Sequence, residues 1–163
     1  MALPVINAAT YETNIPSTGR TVKYRPYLVK EEKILMIALE SQDQKAVLRA
    51  VGDVIESCVF DKININNLAI FDVESLFLSL RSKSVGETSE LLFSCQNEGC
   101  DHENKVTIGI SDVNVDMSST ENNKIELSED MTIELKYPTY YDVSTDKILN
   151  KIGNNGAEVL YQS

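Results

Sequence analysis

A chain of 163 residues with a formal net charge of -10, 42% hydrophobic and 25% charged, has the size of one ordinary domain that can bury a core of its own. No run approaches the roughly 18 apolar residues that a membrane span requires, the start MALPVINAATYETNIP has neither the basic nor the long apolar region of a secretory signal, and three cysteines are too few and too odd in number for a secreted disulfide framework. The expectation is a soluble, unexported protein with its thiols reduced in the cytoplasm and no membrane association.

Residues 1–17 hold two prolines and scattered apolar residues without a period. They read as an extended N-terminal arm that becomes ordered only on a partner surface, with Leu3, Val5, Ile6, Tyr11 and Ile15 as its anchors; the alternative is a disordered tail. Gly19 marks a turn, and Thr21 to Arg25 alternate in the two-residue rhythm of a short edge strand that Pro26 ends. From about Lys30 to Glu40 the period becomes helical, with Ile34, Leu35, Ala38 and Leu39 recurring behind the acidic first turn Glu31-Glu32, which suits the positive end of a helix dipole. Asp43 is a natural N-cap for a second helix whose stripe is Val47, Val51, Val54, Ile55 and Cys58. Asp72 is the candidate cap of a third, carrying Val73, Leu76, Phe77 and Leu80 and ending near Arg81 to Ser84. None of the three reads as apolar all round, so each is expected to bury one stripe.

Gly86 opens a different regime. Glu90 to Phe93 and Lys105 to Ile110 alternate on either side of a polar connection and read as one β-hairpin; Lys124 to Leu127 and Met131 to Lys136 read as a second. After Pro138 a last helix is expected over Val143 to Ile152, with Ser144 as candidate cap and Gly153 to Gly156 as its stop. Strand, three helices, two hairpins and a helix, without strand-helix-strand alternation, define an α+β class: antiparallel hairpins packed with three to four helices, in a single domain over 18–163 behind the arm.

Charge is uneven. Residues 1–30 net +3, residues 31–83 net -3 and residues 84–163 net -10. A surface so acidic repels a polyanion, so nucleic acid is not an expected partner. The only cluster with chemical character is Cys95, Cys100 and His102 in CQNEGCDH, at the tip of the first predicted hairpin. Thiolates and an imidazole on a turn suit a structural zinc ion, which needs four ligands, and Cys58 is the fourth only if the end of the second helix reaches that tip. The spacing is wider than that of a zinc knuckle, and free thiols on a polar turn, with Cys58 packed as a small apolar residue, or a Cys95 to Cys100 disulfide are the other readings. A solvated tip offers no dry pocket to tune His102, and no phosphate-binding, dinucleotide, zinc-protease or nucleophile-elbow motif occurs. Neither an enzyme nor a small-molecule substrate is expected, and no cofactor beyond that zinc. A second candidate contact is the Arg81-Ser82-Lys83-Ser84-Val85-Gly86 turn, where Arg81 and Lys83 sit beside Val85; the alternative is an ordinary helix C-terminus.

Two blocks, PSTGRTVKYRPYLVKEEKILMIALES (Pro16 to Ser41) and LAIFDVESLFLSLRSKSVGE (Leu68 to Glu87), resemble the baseplate hub assembly proteins of T4-type tailed bacteriophages. The first joins a strand ending in Arg-Pro to a Lys-Glu-Glu-Lys helix start; the second joins a Phe-Asp apolar helix to an Arg-x-Lys-Ser-Val-Gly turn. The resemblance implies a non-enzymatic structural or assembly protein of the contractile tail, a hub component or chaperone-like assembly factor. It implies other baseplate hub proteins as partners, synthesis late in the infected host's cytoplasm, and a place in the virion's tail baseplate. It also implies that relatives carry a tighter Cys pair at the first hairpin, so the spacing from Cys95 to Cys100 departs from that pattern. The rival reading is a zinc-knuckle interaction or regulatory module.

Overall fold

The computed structural model describes residues 9–95, 97, 99–100, 102–118, 123–128 and 131–145. Its first element lies inside the segment that reads as an arm. Tyr11–Asn14 forms β1, antiparallel to β2 at Thr21–Tyr24, with Tyr11 opposite Tyr24 and Asn14 opposite Thr21. The Ile15 carbonyl accepts the N–H groups of Thr18 and Gly19, and Gly19 takes a left-handed φ of 65° that a side chain would disfavour. Residues 11–15 thus belong to the folded body, and residues 1–8 of the expected arm lie outside the described residues. Ile15 stands among the core residues at 2% exposure, because a β-branched side chain at the end of β1 gains more from burial than from solvent. Strand β2 is an outer strand of this two-stranded sheet, as expected, though a single bridge meets its other side: the Lys23 carbonyl accepts the Phe60 N–H, and the Arg25 N–H donates to the Cys58 carbonyl.

The helices follow the sequence closely at their centres and less so at their starts. Helix α1 spans Val29–Glu40 and α2 Gln44–Cys58, the latter capped by Asp43, whose carboxylate accepts the Lys45 N–H at 3.0 Å. Helix α3 spans Ile70–Ser84, three residues ahead of the start expected behind an Asp72 cap. Asp72 sits in its first turn and reaches back to the Ala69 N–H at 3.2 Å, so it serves the helix start from within. Strand β3, Thr88–Ser94, pairs with β4, Glu103–Gly109, and β5, Lys124–Ser128, pairs with β6, Met131–Glu134, with a bulge between Glu126 and Ser128. Helix α4 is Tyr140–Ser144, capped by Thr139 and Asp142 in a reciprocal box, so Ser144 ends this helix instead of capping it. The rest of the expected last helix lies outside the described residues.

Four helices and antiparallel hairpins make a small α+β single domain, with three two-stranded sheets among the described residues. The core gathers Ile15, Val22 and Tyr24 from the first hairpin, Val54, Ile55 and Cys58 from α2, Val73, Leu76 and Leu80 from α3, and Tyr140. After the two later hairpins the chain returns to this core: the Ile70 N–H donates to the Pro138 carbonyl and the Tyr140 N–H to the Leu68 carbonyl. The Tyr140 hydroxyl then donates to the Leu48 carbonyl at 2.8 Å, across a part of α2 where Gly52 leaves room; a Cβ there would stand 2.5 Å from that oxygen.

The first helix departs from its expected stripe. Leu35 is half-buried and Ala38 buried, but Ile34 and Leu39 face solvent with Val29, Met36 and Ile37. Helix α1 packs against α2 alone among the elements it touches substantially, and its second half, Ile34 to Leu39, is uninterruptedly apolar, so apolar residues remain on faces with nothing beneath them.

Candidate functional site

Two buried carboxylates hold the frame on which the exposed surfaces stand. Asp72, fully buried, accepts the Ser17 N–H at 2.9 Å and the Ser17 hydroxyl at 2.6 Å, fastening the turn after β1 to the start of α3. Glu31, also buried, accepts Arg25 Nη2 at 2.9 Å and the Leu28 N–H at 2.9 Å, while Arg25 also reaches the Pro26 and Ser57 carbonyls. Burial pushes the Glu31 carboxyl up; the Arg25 hydrogen bond, the backbone donors and the Arg25 charge together outweigh it and hold it below the ordinary range. Both links are structural and belong to the two quoted blocks.

The hairpin tip carries the chemistry expected of it only in part. The Cys95 N–H donates to the His102 carbonyl, and the thiols of Cys95 and Cys100 are hydrogen-bonded. The backbone N–H of Asn97, then the Cys100 thiol, lower the pKa of Cys95. His102 is exposed. Cys58 is not with them: it is fully buried beside Val54, Ile55 and Val59, and burial pushes its thiol up to about 11. No group of three or more His, Cys, Asp or Glu residues among the described ones is placed to hold a metal ion. The requirement that α2 reach the hairpin tip is unmet because the end of α2 is spent in the core, where Cys58 packs as an apolar residue.

Of the expected anchors, Leu3, Val5 and Ile6 lie outside the described residues and Ile15 is spent in the core. Tyr11 and the turn after α3, which the sequence offers as separate contact zones, meet: Lys83 stands 5.6 Å from the centre of the Tyr11 ring while it pairs with Glu87. Arg81 is half-buried near Ser89, and Ser84 receives the Tyr27 N–H, so these residues close the helix end; Val85 remains 61% exposed. Beside them a groove of about 620 Å³ runs between β1, α3 and the segment Ile110 to Val115. Glu12, Glu74, Lys83 and Glu87 line it, but Lys83 and Glu87 pair with each other at the surface and Glu12 with Lys23.

The surface that sequence reasoning missed is apolar. In β3–β4, Leu91 lies opposite Val106 and Phe93 opposite Asn104 on one face, while Glu90 and Lys105 form an ion pair on the other. In β5–β6, Ile125 lies opposite Ile133 on one face, and Glu126 opposite Thr132 and Lys124 opposite Glu134 on the other. Leu91, Phe93, Val106, Ile125 and Ile133 are all classed with the exposed residues, and every residue of β5 and β6 is exposed. The alternation in the sequence was the available signal; it gave the strands but not the absence of anything covering them. No described helix is long and apolar enough to cross a membrane.

A small α+β frame that leaves many large apolar side chains in solvent has the form of an assembly component. The family model described as T4 bacteriophage base plate protein matches residues 8–163, and the chain belongs to that family. Its role is thus that of a phage baseplate structural or assembly protein. No curated protein and no solved structure gives a significant match.

Proposed function

We propose that this protein is a non-enzymatic component or chaperone-like assembly factor of the central hub of a contractile-tail baseplate, acting by contact with other hub proteins in the infected cell's cytoplasm. The observation that carries the reading is the family match over residues 8–163, joined to apolar faces left in solvent on α1 and on the two later hairpins. The hub in particular is supported by the Pro16–Ser41 and Leu68–Glu87 blocks. The absence of catalysis is supported by the surroundings of the titratable groups: His102 is solvated, and the groove's Lys83 and Glu87 neutralise one another at the surface.

The test is to tag the chain in infected cells and follow it through free baseplate intermediates and finished particles. A component appears in both. An assembly factor appears in the intermediates and is gone from the particles. Finding the chain in neither, with baseplates forming normally in its absence, overturns the proposal.

A further inference from the structure

The two later hairpins stand outside the core cluster; β5–β6 has one polar and one apolar face, while β3–β4 carries Leu91, Phe93 and Val106 on one face and Leu92 beside Glu90 and Lys105 on the other. A two-stranded hairpin is marginal in water without something packed on it, so the exposure of Phe93, Val106, Ile125 and Ile133 calls for a cover. Charge decides which cover. The described residues within 87–136 include seven acidic and three basic ones, whereas those within 9–86 include ten of each. A second copy laid hairpin to hairpin would set one strongly acidic lobe against another. The rest of the chain has no net positive charge to receive it, and Lys23, Arg25 and Lys83 already hold Glu12, Glu31 and Glu87. The apolar half of α1 lacks this bias, since Lys30 and Lys33 flank Glu31 and Glu32 at its start.

We infer that the apolar faces of β3–β4 and β5–β6 are docking surfaces for a different baseplate protein, one whose contact patches are apolar at their centres and ringed by lysine and arginine. This rests on the proposed function and names the chemistry of the partner. The apolar faces supply the buried area, and the acidic surround steers the encounter and repels self-pairing of the open strand edges.

The experiment places a photo-crosslinking residue at Val106, at Ile133 or, for comparison, at Met36 on α1 in the full chain, and identifies the products in infected cells by mass spectrometry. The inference expects Val106 and Ile133 to link to a baseplate protein, at positions flanked by its basic residues. Ile133→Glu, checked by an unchanged melting curve, should reduce recovery of that protein at least about tenfold, and raising salt from about 50 to about 500 mM should weaken the complex similarly. Links from Val106 and Ile133 to another copy of this chain, links from Met36 alone, or a complex indifferent to salt overturn the inference while leaving the proposed function standing. No link to any baseplate protein from any of the three positions removes the proposed function as well.

Discussion

Cys58 and Cys95 are the same side chain in opposite surroundings, and the contrast is a matter of solvent and donors. The Cys58 thiol, at the end of α2 with no exposure, is held protonated by the loss of water around the thiolate. The Cys95 thiolate is favoured by the Asn97 N–H and the Cys100 thiol. Because the thiolate is the nucleophile, a disulfide reagent at neutral pH should modify Cys95 and Cys100 in the native protein and Cys58 only after unfolding. Rapid modification of all three without loss of structure would contradict the placement of Cys58. The sequence shows both candidate environments, a polar turn and an apolar stripe, but cannot assign which elements approach each other. The place of Cys58 turned on that point: spacing along the chain says nothing of where α2 ends in space.

At the scale of elements, helix centres were legible because three-residue and four-residue spacing leaves no other way to bury Val54, Ile55 and Cys58 together, or Val73, Leu76 and Leu80. Helix starts were less so. Asp43 acts as the cap its chemistry suggests, yet Asp72, equally suited, stands inside α3 because its carboxylate has a distant claimant in Ser17. In the first hairpin β2 was legible and β1 was not: a strand of four residues held down by a latch as distant as Asp72 has little local pattern to show. Asp72→Ala removes the acceptor of three hydrogen bonds, one from a hydroxyl, and should destabilise the protein by about 3 kcal/mol in denaturant titration. Ser17→Ala, which keeps the backbone bond, should cost about 1 kcal/mol. Equal and negligible costs would mean that the latch contributes nothing.

For the whole molecule, the acid side of the stability curve follows from Glu31. Its folded pKa lies below the ordinary value of 4.5, so its contribution is fully present above that pH and disappears as pH falls through the lower, folded value. Glu31→Gln should therefore cost about 1–2 kcal/mol at pH 7, with the gap from wild type closing as the solution is acidified below pH about 4; a gap that widens on acidification would reverse the assignment. The class of fold could be read from element order alone, whereas the bareness of α1 and of the later hairpins could not, since hydrophobic alternation looks the same whether the cover comes from within the chain or from outside it. The return of the chain at Pro138 to Tyr140 bears on that outer lobe. The excursion leaves from the C-terminal end of α3 and rejoins beside its N-terminal end, so its two moorings are separated by the length of a 15-residue helix, roughly 21 Å. Within that excursion β3–β4 leaves and returns at one point, since the Ile110 N–H donates to the Glu87 carbonyl, so it is the stretch from Ile110 to Pro138 that spans the length of α3. Any graft replacing it would have to bridge the same span, with at least about seven extended residues.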